Sequence, residues 1–224
     1  MHESARALIL AGDHYHNPSD AYTGVGAALQ REGIDLEPTT DFARFHELLA
    51  GKHLFVMHRD GIEHPDGMSA PPVRWMQPGQ EDAVEQFVLQ GGGFLALHNA
   101  GWDYPWQGGY RRTLGGYYIG HPPVARFRVE VVNRMHPVTA GVASYDIEDE
   151  QHWLHFDYDR VTPLLVSKGR DGRQSVSGWA YEYGQGRVVY LPHGHTLPVI
   201  LHPAFQQLLR NAARWLLRRS GAGQ

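Results

Sequence analysis

The chain is 224 residues long, 42% hydrophobic, and carries a formal net charge of −4 at pH 7. That length can bury one sizeable core, and no low-complexity stretch divides it, so a single domain over residues 1–224 is expected. The acidic balance argues against a nucleic-acid or anionic-membrane partner, and the lack of cysteine excludes thiol nucleophiles, thiolate ligands and disulfides, leaving 15 histidines to supply much of any acid–base chemistry.

The first apolar run, Ala7 to Ala11, is too short for a membrane span or a signal-peptide core, which leads to the expectation of a soluble, cytoplasmic protein. It closes a strand starting at Ala5 and ends in Gly12-Asp13-His14. Ser19-Asp20 offers a cap for a helix that buries Tyr22, Val25, Ala28 and Leu29 and stops at Gly33. Ile34 to Leu36 reads as a second strand, Phe42 to Leu49 as a short helix, and His53 to Met57 as a third strand ending in His58-Arg59-Asp60. Arg59 to Gln77 has no periodicity, and a loop of that length reads as a lid, a binding loop or an insertion. Pro78 then starts a helix with Val84, Phe87 and Val88 on one face. Gly91-Gly92-Gly93 ends it, and Phe94 to Leu97 follows as a strand buried on both faces. That strand delivers His98 and Asn99 at its carboxyl end, where open α/β sheets bind their ligands.

The stretch after His98 is aromatic and loop-like, with Trp102, Tyr104, Trp106, Tyr110, Tyr117 and Tyr118 before Gly120-His121-Pro122. Such density suits stacking on the apolar face of a sugar, or a small satellite core under a loop. From Val124 to Val132 the pattern alternates, predicting a half-exposed antiparallel strand and hence a mixed sheet. Between Tyr145 and Trp153, acids crowd among apolar residues, and partial burial there would make Glu150 an acid with a raised pKa. Leu164 to Ser167 and Trp179 to Tyr183 read as two antiparallel strands joined through the turn-rich Gly169 to Arg173. Arg187 to Leu191 is an apolar strand ending in Pro192-His193-Gly194-His195. The last helix begins at Pro203 and buries Phe205, Leu208, Leu209, Ala212, Trp215 and Leu216, with Arg210, Arg214 and Arg218 on a solvated face.

Four strands thus end in histidine, at His14, His58, His98, and His193 with His195, and a parallel sheet would bring those ends to one edge. The stretches GGGFLALHNA (91–100), LGGYYIGHPP (114–123), HPVTAGV (136–142), DIEDEQHW (146–153), YGQGRVVYLPHGH (183–195) and PAFQQLLRNAARWLL (203–217) together resemble the ThuA-like (trehalose-utilisation) family, which is related in fold to the class I glutamine amidotransferases. The resemblance implies a flavodoxin-like three-layer α/β sandwich, a mostly parallel central sheet with added antiparallel strands, and a part in sugar catabolism. In the related amidotransferases the nucleophile turn carries a cysteine. Here His98 or Asn99 occupies it, which removes thioester glutamine hydrolysis.

The leading expectation is an enzyme acting on trehalose or a keto derivative of a disaccharide, with His98 and His195 as acid–base groups and Glu150 as their carboxylate partner. His14, His58, Asn99, Trp102, Tyr104, His121 and His193 would complete the sugar site. Two-carboxylate glycoside hydrolysis fits less well, because Asp149 and Glu150 are adjacent and cannot easily flank one bond. Two other readings stay open: a metal-dependent hydrolase or isomerase using His14, His58, His98 and His195 as ligands, and a non-catalytic sugar-binding protein. The partner expected is a small-molecule sugar, and the residues select neither a cofactor nor an oligomeric state.

Overall fold

Seven strands form the central sheet of the computed structural model, which describes residues 4–219. Their spatial order is Thr162–Pro163, Trp179–Tyr183, Gly186–Leu191, Gly93–Leu97, Leu54–His58, Ala5–Ala11 and Ile34–Thr39. The last five run parallel, and the first two are antiparallel to their neighbours. The strands expected to end at Ala11, Met57, Leu97 and Leu191 are therefore adjacent and point the same way. The chain passes from Ala5–Ala11 outward to Ile34–Thr39 and then returns to the other side of its first strand, so the order reverses between Ala5–Ala11 and Leu54–His58. A cleft at the carboxyl ends beside such a reversal is where a doubly wound sheet binds its ligand.

The inner strands read as unbroken apolar runs because both faces are covered. Ile9, Leu95, Leu97 and Val189 point to one side, against the helices Pro18–Gln30 and Pro203–Leu216. Leu8, Leu10, Phe55, Phe94 and Tyr190 point to the other, against the helix Pro78–Leu89. In the last helix Phe205, Leu208, Leu209, Ala212 and Leu216 form the buried stripe, while Trp215 is half-buried. Arg214 is less free than its helical spacing suggests, since it forms a bidentate pair with Glu32 at 2.6 and 2.8 Å.

Several sequence expectations are corrected here. The alternating strand Ala125–Val131 does not enter the central sheet. It belongs to a separate antiparallel sheet ordered Gln174–Val176, Leu165–Lys168, Ala125–Val131, Tyr145–Asp149. The turn at Gly169 to Arg173 accordingly joins Leu165–Lys168 to Gln174–Val176. Trp179–Tyr183 goes to the central sheet instead, because Trp179, Ala180 and Tyr181 are all buried and so require cover on both faces. The short helix expected from Phe42 is a single 3-10 turn at Phe45–Leu49. The segment from Arg59 to Gln77 is not a floppy insertion: it carries a small hairpin, Ile62–Glu63 with Val73–Arg74, and buries Trp75 and Met76.

Candidate active site

The site starts in the loop after Ala5–Ala11, which folds onto its own carboxylate. Asp13 Oδ1 accepts the backbone N–H of Tyr15 at 2.8 Å and of His16 at 3.0 Å, and lies 2.7 Å from His16 Nδ1. This local turn directs the His16 ring inward before Asn17 caps the helix Pro18–Gln30. Asn99 Nδ2 donates to Asp13 Oδ2, tying that loop to the end of the next strand but one in the sheet.

His98 stands at the carboxyl end of Gly93–Leu97 with a left-handed backbone, φ 47°, a conformation that costs a non-glycine residue free energy. Surrounding bonds hold it there. Tyr190 Oη donates to the His98 carbonyl at 2.6 Å, and His98 Nδ1 lies 3.3 Å from the Pro192 carbonyl.

The loop carrying His195 is fixed from three directions. Asp149 accepts the N–H groups of Gly194 at 2.9 Å and His195 at 3.2 Å. His58 Nε2 donates to the Gly194 carbonyl at 2.9 Å, and Ser177 Oγ sits 2.7 Å from His193 Nε2. Gly194 has φ 116°, and a Cβ there would meet Ile200 Cγ1 at 3.2 Å. Gly194→Ala should therefore cost about 1–3 kcal/mol and displace His195; a thermal melt together with an activity assay checks this, and an alanine variant of native stability and turnover would remove the loop's role.

These loops bring four side chains to one point. His16 Nε2 is 3.0 Å from His98 Nε2 and 3.1 Å from His195 Nδ1, and the latter two are 3.3 Å apart. Glu150 Oε2 lies 3.5 Å from His98 Nε2 and 3.6 Å from His195 Nδ1, with His152 Nε2 at 3.4 Å and His121 Nε2 at 3.6 Å. The cluster forms one end of a cavity of about 340 Å³ whose wall includes Tyr15, Trp102 and Tyr118. A larger hollow, about 550 Å³, opens at the amino ends of the strands near Lys52, His53 and Gly92, on the side of the sheet away from this cluster.

The electrostatics follow from burial and close partners. Burial works to raise the Asp13 carboxyl, but the hydrogen bond and charge of His16, with the Tyr15 amide and Asn99, bring it down to about 2. His98 is fully buried, and that burial, with His152, His16, His58 and His195 around it, pushes its pKa well below the ordinary histidine value. Burial would likewise raise Glu150. The hydrogen bond to His152 and the neighbouring His195 and His121 outweigh it, so Glu150 is held below the usual carboxylate range rather than above it as its sequence surroundings suggested. Asp149 next to it is the carboxyl that burial does raise, to about 7, against the pull of its backbone donors.

A family model described as trehalose utilisation, ThuA, matches residues 6–216 of this sequence. The chain belongs to the ThuA family. A ThuA-like protein from Parabacteroides merdae superposes with a TM-score of 0.79 at 14% identity, covering 99% of this chain and 93% of that one. Another from Bacteroides uniformis gives a TM-score of 0.72 at 23% identity, over 98% and 94% of the two chains. The same fold also occurs within a β-galactosidase from Rahnella sp. R3, with a TM-score of 0.67 at 16% identity, covering 97% of this chain but 32% of that one. Among curated proteins none matches the sequence.

Within this ThuA fold, the sequence-derived site residues divide. His98, Asn99, Trp102, His121, Glu150 and His195 come together as expected. His14 does not: its ring packs on Tyr15 and His64 and faces a separate hollow beside Arg59 and Glu63, because the Asp13 turn sends His16 inward and His14 out. His58 and His193 are buried behind the cluster and serve the His195 loop rather than the cavity. Tyr104 is also absent from the wall, buried against Tyr110 with its hydroxyl donating to the Arg59 carbonyl at 2.9 Å. The residues that strand-end reasoning missed are Asp13, directly before His14, Tyr15 and His16, directly after it, and His152, which stands two residues past Glu150. The spacing Asp13-x-x-His16 ahead of a capped helix was the available signal, since an aspartate there can bond its own following backbone.

Among the described residues, no helix is long and apolar enough to cross a membrane.

Proposed function

We propose that this ThuA-family protein is a carbohydrate-processing enzyme whose substrate is trehalose or a keto derivative of a disaccharide. The observation that carries this reading is a single cavity with an aromatic strip on one side and a histidine–carboxylate cluster at its end. Tyr15, Trp102 and Tyr118 follow one another at ring separations of 6.1 and 6.0 Å. Such a strip accepts the apolar face of a sugar ring while leaving its hydroxyl groups for polar partners. A volume of about 340 Å³ equals roughly eleven waters at ~30 Å³ each, which is room for one sugar ring, with a second ring at the open mouth.

His121 is the group best placed to move a proton at that ring. Its Nδ1 donates to the Pro122 carbonyl at 2.8 Å, which leaves the Nε2 lone pair free, 3.6 Å from Glu150 Oε2 and in reach of solvent. Fully buried His98 reaches a substrate only through its neighbours, so its part is to hold the cluster. Proton transfer at a sugar hydroxyl, or at a carbon beside a keto group, is the chemistry this arrangement supports.

The test is turnover and binding with trehalose, its keto derivatives and other disaccharides. Trp102→Ala should weaken binding by up to about tenfold through lost stacking, whereas His121→Ala should lower kcat with little change in binding. Binding without turnover on every sugar would replace the enzyme by a sugar-binding protein, and no binding at all would remove the reading.

A further inference from the structure

We infer that His16, His98, His195 and Glu150 hold one divalent first-row transition-metal ion at the end of the cavity. The inference takes from the preceding reading only that the cavity is the working site, and its test needs no sugar.

The argument rests on where hydrogens can be. Asp13 Oδ1 accepts two backbone N–H groups and is a carboxylate oxygen, so in its 2.7 Å contact with His16 the hydrogen belongs to His16 Nδ1, and the Asn99 Nδ2 that lies 2.9 Å from the same nitrogen donates to Asp13 Oδ2 instead. The Pro192 carbonyl is likewise only an acceptor, so its contact with His98 places that hydrogen on His98 Nδ1. Both rings, when neutral, therefore present bare Nε2 lone pairs to each other at 3.0 Å, and His195 Nδ1 joins them at 3.1 and 3.3 Å. One proton can bridge two of the three nitrogens. It cannot satisfy a triangle.

A cation at the centre can. Nitrogens bound tetrahedrally at ~2.0–2.1 Å stand about 3.3 Å apart, close to the separations found. Glu150 Oε2 supplies the fourth, anionic ligand, and all four ligand atoms lie within 4.8 Å of one another. It sits slightly wider than the imidazoles, at 3.5 and 3.6 Å from two of them, and it borders the cavity, the side from which a water or a sugar oxygen would reach the ion as a fifth ligand. The outer partners are those a metal-binding histidine uses: a carboxylate behind His16 and a carbonyl behind His98 fix each ring's tautomer and direction. Three imidazoles with one carboxylate select zinc, manganese, iron, cobalt or nickel over magnesium or calcium, which prefer all-oxygen sets. Such an ion would polarise a bound carbonyl or acidify a bound water.

The ligand set differs from the one the strand ends suggested. His14 and His58 drop out, and His16 and Glu150 take their places.

The experiment is titration of the chelator-stripped full chain with Zn²⁺ by calorimetry and with Co²⁺ by visible absorption. One ion per chain is expected, with a cobalt spectrum of mixed nitrogen and oxygen ligation. His16→Ala should lower zinc affinity by about 100-fold or more, Asp13→Asn by roughly 10–100-fold, and His14→Ala by nothing measurable. Should His16→Ala fail to fold, as judged by circular dichroism, Asp13→Asn carries the test. Failure of the stripped protein to bind either ion, or equal affinity in the wild type, His16→Ala and Asp13→Asn, overturns the inference while leaving the sugar reading standing. Stoichiometric binding that is lost in those variants supports it whatever the sugar assays return.

Discussion

Glu150→Gln is expected to lower turnover by roughly 10²- to 10⁴-fold while leaving the fold intact. Glu150 Oε2 is the one oxygen that faces His98, His121, His152 and His195 together, at 3.4 to 3.6 Å. The amide keeps the side chain's shape but removes the negative charge that these imidazoles surround, and with it the cluster's anionic ligand. Because the side chain is 15% exposed at the cavity rather than in the apolar core, unfolding should shift by no more than about 1 kcal/mol. Steady-state kinetics and a urea melt on the same preparation separate the two effects. A variant that turns over within threefold of the wild type would take Glu150 out of the chemistry. A variant that is inactive because it is unfolded would instead place it among the structural carboxylates, beside Asp149.

The largest loss of stability is expected at Trp179, in the antiparallel strand that extends the central sheet. The ring is fully buried, lies 4.7 Å from the Tyr190 ring, and has Gly116 pressed so close that a Cβ there would sit 2.2 Å from it. Its Nε1 donates to the Leu114 carbonyl at 2.8 Å. Trp179→Ala removes the packing and orphans that carbonyl, for a loss of about 3–5 kcal/mol in urea unfolding. The consequence reaches the site, because Tyr190 is the residue whose hydroxyl holds the strained His98 backbone. Activity should therefore fall even at temperatures where the variant stays folded. A loss below about 1 kcal/mol would mean that the core closes over the gap and that this strand contributes less than its burial implies.

The five parallel strands and the helices Pro18–Gln30, Pro78–Leu89 and Pro203–Leu216, the placing of Gly91 to Gly93 before a core strand, and the delivery of His98 and His195 to one edge were legible in the sequence, whereas the aromatic stretch read as a loop after His98 carries a helix, Gly109–Leu114, and a strand, Gly116–Gly120. The legible parts depend on short-range chemistry: apolar runs bounded by glycine and proline, and a parallel-sheet rule that places every carboxyl end on the same side. The family motifs, spread from residue 91 to 217, carried the fold class as well. Which sheet a strand would join was not legible. The alternation of Ala125–Val131 and the apolar character of Trp179–Tyr183 each fit more than one partner, and only the cover available on both faces sent them to different sheets. Nor could the sequence tell His14 from His16. The choice is made by one carboxylate, Asp13, turning the loop back on itself, and by contacts from His16 to residues 82 and 179 positions away in the chain. A strand end fixes where a histidine arrives, but the direction its ring takes belongs to the turn that follows and to the partners the fold brings to meet it.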